Sequence, residues 1–169
     1  SICSSCKPFL AVRRFAGNSV DMYLANSAFV AGRHKKHGAL PRQKPCHVQL
    51  NMNGDDAIDS PRRFPRGRSV VFGYIGRLSD TKGVHVLLDA ARQLQSQSWI
   101  LQIAGEGDKN YLARLQAEYN DPRIEYLGHV EPDEFYRQVD ILVCPSLYEE
   151  PLPRVIYEGY RAALPVIAA

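Results

Sequence analysis

No apolar run in this chain approaches the roughly 20 residues that a membrane-spanning helix needs. No secretory signal opens the sequence, and it contains neither an internal repeat nor a low-complexity tract. We therefore expect a globular chain without a transmembrane helix. Its 45% of hydrophobic residues can bury a sizeable core, and its 169 residues fit one domain, or one domain with part of another.

The four cysteines do not form a disulfide framework. Cys3 and Cys6 have the spacing of half a zinc site, whereas Cys46 and Cys144 stand far from them and from each other. The histidines nearby complete no standard zinc spacing. We expect reduced thiols, no bound metal and a reducing, cytoplasmic setting, with Cys144 as a small buried residue. A metal at Cys3 and Cys6 is the alternative.

Charge divides the chain into two parts. Residues 1–69 hold 12 Lys or Arg and 4 Asp or Glu, a balance of +8, whereas residues 70–169 hold 9 and 14, a balance of −5. The Pro-, Gly- and Arg-rich stretch at 54–69 has the composition of a linker. We therefore predict an N-terminal portion at 1–53, a linker at 54–69 and a domain at 70–169.

The basic N-terminal portion carries a short alternation of elements. Its pattern predicts a strand at 20–24, a helix capped by Asn26 or Ser27 that ends before Gly38, and a strand at 47–50. The cations at 33–37 fall in the last turn of that helix, where they favour its termination.

From residue 70 onward, short apolar runs alternate with segments of helical periodicity. The pattern predicts strands at 70–75, 99–104, 124–127, 141–144 and 165–168, and helices at 84–94, 109–119, 133–139 and 153–163. Most of these strands are continuously apolar, as strands buried on both faces of a parallel sheet are. The fold predicted is therefore α/β, a doubly wound parallel sheet in the common order 3-2-1-4-5.

Two loops of the predicted sheet carry complementary charges. Strands 1 and 4 of that order are neighbours, so the loops that leave their C-terminal ends face one crevice. The first loop carries Gly76, Arg77 and Lys82, and the second runs from Ser146 to Pro153. Cations suit a diphosphate, carboxylates suit sugar hydroxyls, and the start of a helix suits anions. The sequence therefore predicts a pocket for an activated sugar nucleotide.

The charged groups have distinct chemical roles in such a pocket. Arg77 and Lys82 would stabilise the charge that grows on a leaving nucleoside diphosphate, without a metal. Glu158 would accept the two vicinal hydroxyls of a ribose, and Glu150 a hydroxyl of the sugar. Simpler interpretations stay open. In these, Arg77 and Lys82 are ordinary cations of a loop, Glu150 caps a helix, and Glu158 lies on a solvated helix face.

At this point the residues match a known family. The stretch 70–169 resembles the donor-binding domain of retaining GT-B glycosyltransferases of family 4, the glycosyl transferases group 1. The matching segments, in order, are Gly76-Arg77…Lys82-Gly83, Gly105-Glu106-Gly107, Gly128-His129-Val130, Pro145-Ser146 and Glu150-x7-Glu158. Residues 21–55 are similar to the segment in which the family's acceptor domain joins its donor domain.

The resemblance implies a retaining hexosyltransferase of polysaccharide biosynthesis. Such an enzyme moves a hexose-type sugar from a UDP or GDP donor to a glycan or lipid-linked acceptor, with no cofactor and no metal. It implies a cytoplasmic protein, compatible with peripheral association at the inner face of the membrane, and no nucleic-acid partner. The resemblance assigns Glu150, Arg77 and Lys82 to catalysis, and Gly76, Glu158, Arg154, Val155, Gly105, His129, Val130 and Ser146 to donor binding.

The sequence also departs from the family pattern. Pro153 stands where the family often has glycine, which removes one phosphate donor. Most of the acceptor domain is absent, and the sequence ends after the fifth predicted strand. We therefore expect this chain to bind the donor weakly and to have little transferase activity alone.

Two alternatives from other classes remain. Gly105-Glu106-Gly107 follows a strand and precedes a helix, as in NAD-type dinucleotide-binding domains, but Asn110 replaces the third glycine of that fingerprint. The run from Arg62 to Arg68 has the charge of a module that binds nucleic acid or an anionic membrane. A solvated linker is the simpler interpretation of that run.

Overall fold

The computed structural model describes residues 12, 15–17, 19–38, 44–50, 67–95 and 98–169. The chain divides into two compact units, Ser1–Asn53 and Gly54–Ala169. Cys3 and Cys6, together with most of the predicted linker and its arginine run, lie outside the described residues. The assignment of the first unit as the end of an acceptor-side domain stays a prediction.

The first unit contains a small parallel β-α-β arrangement. Strand β1 (Tyr23–Ala25) is followed by helix α1 (Ala28–Lys36) and strand β2 (Cys46–Val48), and the two strands pair in parallel. The side chain of Ser27 caps α1 by accepting a hydrogen bond from the amide of Val30 at 3.2 Å. Of the two cap candidates, the structure therefore selects serine.

Both strands of this unit are shifted from the segments predicted at 20–24 and 47–50. The ladder begins where the amide of Tyr23 donates to the carbonyl of Pro45 at 2.9 Å, and it ends where Gln49 donates to Ala25 at 2.8 Å. The ends of the two strands are set by the hydrogen bonds between them, and the apolar pattern of each segment alone does not predict where that pairing begins and ends.

The second unit is built on a five-stranded parallel sheet. Its strands are β3 (Val70–Ile75), β4 (Trp99–Ala104), β5 (Ile124–Gly128), β6 (Ile141–Cys144) and β7 (Val166–Ala168). They lie in the order β5-β4-β3-β6-β7, and every adjacent pair is parallel. Numbered within the unit, this order is 3-2-1-4-5, so the predicted doubly wound α/β fold is confirmed.

Helices cover both faces of this sheet. They are α2 (Val84–Arg92), α3 (Lys109–Glu118), α4 (Pro132–Gln138) and α5 (Arg154–Arg161), and a 3-10 turn (Asp80–Lys82) precedes α2. Alternate residues of each central strand point to opposite faces. One core therefore contains Leu88 of α2 and Tyr111 of α3, and the other contains Phe135 of α4 and Ala162 near the end of α5.

The helix starts differ in how their first amides are satisfied. Asp108 caps α3, as predicted, because its Oδ1 accepts from the amides of Asn110 and Tyr111, each at 3.0 Å. Pro153 was predicted to be the first residue of the last helix, and this is wrong. Its ψ of 100° is extended, so it precedes α5 as the N-cap residue, and its side chain has no acceptor with which to cap the helix.

Candidate functional site

Two loops meet at the carboxyl edge of the sheet. The loop after β3 leads into the 3-10 turn, and the loop after the neighbouring strand β6 leads into α5. Their backbones are joined directly, because the amide of Leu147 donates to the carbonyl of Thr81 at 3.0 Å. A Cβ placed on Gly83 would lie 1.8 Å from the carbonyl oxygen of Pro145. Only glycine permits this approach, and φ at Gly83 is +68°.

A three-residue polar cluster spans the two loops. The Nζ of Lys82 lies 2.5 Å from Oε1 of Glu150, and the hydroxyl of Ser146 contacts the same oxygen. Burial acts to raise the pKa of Glu150, but the hydrogen bonds from Lys82 and Ser146 outweigh it and hold that pKa below its usual value. Glu150 is therefore a carboxylate at neutral pH.

A cavity of about 290 Å³ opens beside this cluster. Its lining is drawn from β3, β6, the two loops that follow them and the first residues of α5. Seven of the residues selected from sequence line it, namely Gly76, Arg77, Lys82, Ser146, Glu150, Arg154 and Val155. The cavity wall thus combines cations, a carboxylate and the first turn of α5.

The backbone of Arg77 is held by a residue that sequence reasoning did not select. Tyr74 lines the cavity, is 3% exposed, and donates its hydroxyl hydrogen to the carbonyl of Arg77 at 2.8 Å. Burial raises the pKa of this hydroxyl well above its ordinary value, so it stays a donor. In the sequence, Tyr74 looks like one more apolar residue of a buried strand.

Glu158 lies on α5, next to the cavity. Its Oε1 accepts from the guanidinium of Arg154 at 3.0 Å, and Arg154 itself lines the cavity. Its Oε2 accepts from the hydroxyl of Tyr136 at 2.7 Å. Tyr136, on α4, is a second residue of the site that the sequence analysis missed, because a tyrosine in an amphipathic helix is typical of the core.

The remaining predicted donor-binding residues lie outside the cavity lining that the described residues form. Gly105 follows β4, and a Cβ placed there would be 1.8 Å from the carbonyl oxygen of Gly76. His129 is exposed just after β5, and Val130 is half-buried against the core. All three are at the same carboxyl edge as the cavity.

The starts of α3 and α5 offer anions different environments. At α3, the first amides already donate hydrogen bonds to the carboxylate of Asp108. A dinucleotide would place its pyrophosphate at that position, so it would have to displace Asp108. At α5, the residue before the helix is a proline without a capping group, and the first turn faces the cavity. The geometry favours anion binding at α5.

The described residues offer neither a cluster of metal ligands nor a membrane-spanning helix. No three His, Cys, Asp or Glu side chains there come together in a way that would hold a metal ion. Among the same residues, the helices are too short or too polar to cross a bilayer. Cys46 and Cys144 are both free thiols, and Cys144 is buried at the end of β6.

Comparison with known proteins gives a consistent family signal. The profile described as "Glycosyl transferases group 1" matches residues 69–169. A protein of the Klebsiella pneumoniae cps region, described as uncharacterized, is 28% identical over 155 residues, which cover 92% of this chain and 40% of the relative. The Amylovoran biosynthesis glycosyltransferase AmsD of Erwinia amylovora is 29% identical over 127 residues, covering 73% of this chain and 34% of the relative.

Solved structures agree on the fold. Anabaena HepE in complex with UDP-glucose superposes with a TM-score of 0.75 at 23% identity, and the match covers 96% of this chain and 48% of that one. At this identity the likeness shows the fold alone. The chain spans half or less of the length of the relatives and structures it matches here.

Proposed function

Because the chain belongs to the glycosyl transferases group 1 family and carries the donor-binding half of a GT-B fold, we propose that residues 70–169 bind a nucleoside diphosphate sugar. The reaction proposed for the whole protein is transfer of a hexose-type sugar, with retention, to a glycan or lipid-linked acceptor. The observation that carries the proposal is the contact of Lys82 with Glu150 across two loops at one cavity.

The diphosphate would lie against the basic wall of the cavity. Arg77 and Lys82 supply positive charge there, and the amides of Arg154 and Val155 open α5 beside them. As the bond between sugar and phosphate breaks, negative charge develops on the leaving diphosphate. Fixed donors already in place stabilise that charge, and the loss of one such donor typically costs about 3–4 kcal/mol of barrier.

The transferred sugar would be held by Glu150. Both Lys82 and Ser146 contact Oε1 of this carboxylate, so Oε2 would accept a hydroxyl of the sugar. Glu150, proposed to hold the sugar, is in direct contact with Lys82, proposed to hold the diphosphate. In the donor, the sugar is likewise bonded directly to its first phosphate. On this basis we propose that the reacting bond lies at the Lys82–Glu150 pair.

The nucleoside would extend from the cavity toward Glu158. A volume of about 290 Å³ is at the low end for small-molecule sites and suits the sugar and phosphate portions. The ribose would then reach the carboxylate of Glu158, and the base would lie near the backbone of His129 and Val130, close to Gly105. UDP is the nucleotide we propose, because HepE was crystallised with UDP-glucose.

The proposal extends to the cellular setting of the whole protein. A relative named for amylovoran biosynthesis supports a role in polysaccharide assembly. We propose a cytoplasmic location with peripheral association at the inner face of the membrane, where lipid-linked acceptors are found. No cofactor and no metal is part of this proposal.

Ligand titration tests the proposed function. In isothermal calorimetry or ligand-observed NMR on the 169-residue chain, UDP-glucose and UDP should bind, whereas NADH should not, because Asp108 occupies the anion site at the start of α3. Titration of GDP-mannose in the same way compares the affinity for a guanine nucleotide with that for a uracil nucleotide. Binding of NADH with no binding of UDP or GDP sugars would contradict the proposal and favour the dinucleotide alternative.

Replacing Lys82 should weaken binding through the phosphates. We expect Lys82→Met to lower the affinity for UDP roughly tenfold or more, because a hydrogen bond between charged groups is removed. The affinity for uridine, which has no phosphate, should change little. Lys36→Met, at an exposed position at the end of α1, is the control and should leave both affinities unchanged. Equal losses for UDP and uridine would argue against contact with the diphosphate.

A further inference from the structure

The hydroxyl of Tyr136 connects the buried core to the carboxylate of Glu158. Tyr136 is 1% exposed and belongs to the core cluster beneath α4 and α5. Its ring packs edge-on against Phe135, with ring centroids 6.1 Å apart. A ring enclosed in this way has little freedom to change rotamer, so its hydroxyl is a fixed point.

Glu158 is held by two donors of different character. The hydroxyl of Tyr136 donates to Oε2 at 2.7 Å from the core side, and Arg154 donates to Oε1 at 3.0 Å from a side chain that is 63% exposed. An exposed arginine on the same helix is mobile, and such a pair contributes little. The orientation of the carboxylate therefore depends on the tyrosine more than on the arginine.

The carboxylate retains capacity for a diol. An ionised carboxylate offers about four lone-pair positions, and these two donors use one on each oxygen. Two positions remain, one on each oxygen, which is the number that two vicinal hydroxyls require.

We propose that Tyr136 is a positioning residue that orients Glu158 to receive the 2′ and 3′ hydroxyls of the donor ribose. The inference rests on the proposed function, since it concerns the same donor site. Burial and the hydrogen bond to Glu158 raise the pKa of the Tyr136 hydroxyl, so it stays protonated and keeps donating across the physiological range. Tyr136 does not itself touch the ligand in this proposal.

The test compares two ligands that differ only in the ribose hydroxyls. The affinities for UDP and for 2′,3′-dideoxyuridine diphosphate are measured by calorimetry on the 169-residue chain and on Tyr136→Phe. In the unchanged chain, UDP should bind more tightly by roughly a hundredfold or more, the value of two hydrogen bonds to a charged acceptor. In Tyr136→Phe, we expect that preference to fall about three- to tenfold, while the affinity for the dideoxy ligand stays the same.

A matched control separates positioning from stability. Tyr119 is also buried, and its hydroxyl donates to the carboxylate of Asp89 at 2.8 Å in the other core cluster. Tyr119→Phe removes the same atom from the same type of contact, so it should leave the ligand preference unchanged. Because the preference is a ratio within one variant, a general loss of folded protein affects both ligands equally and cancels.

The possible results point to different failures. If the unchanged chain binds neither ligand, the proposed function falls, and this inference with it. If the unchanged chain prefers UDP and Tyr136→Phe keeps the whole preference, the proposed function stands and the positioning role is overturned. A preference that falls equally in Tyr136→Phe and Tyr119→Phe also overturns the role, because the effect would not depend on Glu158.

Discussion

Glu158→Ala should reduce the affinity for UDP by roughly a hundredfold or more, the largest effect of any single side chain at the proposed donor site. Each hydrogen bond from a ribose hydroxyl to a carboxylate contributes roughly 1.5–3 kcal/mol, and the substitution removes two of them. Titration of UDP and UDP-glucose by calorimetry would measure the loss. The affinity of Glu158→Gln for UDP should lie between those of the unchanged chain and of Glu158→Ala, because the amide keeps one acceptor oxygen but loses the charge.

The control for this experiment is another glutamate on a helix. Glu134 is an exposed residue of α4, and Glu134→Ala should leave UDP binding unchanged. The affinity of Glu158→Ala for inorganic pyrophosphate should also be preserved, since the cations of the cavity are intact. Unchanged UDP binding in Glu158→Ala would remove ribose recognition from this residue.

Gly83→Ala should destabilise the second unit by about 2–5 kcal/mol, the largest stability effect we expect from the addition of a single methyl group. A left-handed φ costs an alanine about 1–2 kcal/mol. A Cβ at 1.8 Å from the carbonyl of Pro145 further requires backbone to move, which typically costs 1–3 kcal/mol, as overpacking does. The same movement would separate the loops that carry Lys82 and Glu150. Urea unfolding, followed by the fluorescence of the buried Trp99, measures the change.

Gly128→Ala isolates the steric part of this effect. Gly128 has the same φ of +68°, but a Cβ placed there would meet no atom within 4 Å. Its substitution should therefore cost only the conformational strain, about 1–2 kcal/mol. Equal unfolding free energies for the two variants would show that the contact between the loops does not constrain the fold.

The strand order was predictable because its signal is local. Continuous apolar runs such as 70–75 and 141–144 identify buried parallel strands, and right-handed crossovers leave few arrangements for five of them. Once the order is known, loops at the carboxyl edge meet without further information. For this reason, Gly76, Arg77 and Lys82 of the first loop and the segment 146–153 of the second could be assigned to one edge from the sequence.

Side-chain partnerships were not predictable in the same way. Lys82 and Glu150 are 68 positions apart, and no periodicity reports that the two side chains touch. Tyr136 carries the periodic signal of a core residue, and it is buried as one. The contact of its hydroxyl with Glu158 depends on a helix that follows later in the chain. Likewise, α2 and α5 cover opposite faces of the sheet, and the loops that precede them meet only because both helices begin at the shared edge.

The pairing of Lys82 with Glu150 and of Arg154 with Glu158 has a kinetic consequence. Two of the three cationic side chains at the cavity already hold a counter-charge, so the field they project into solvent is small. Long-range electrostatic steering, which accelerates association and weakens as ionic strength rises, needs uncompensated charge. An incoming polyanion would thus be captured by short-range fit, and its arrival rate should depend little on salt.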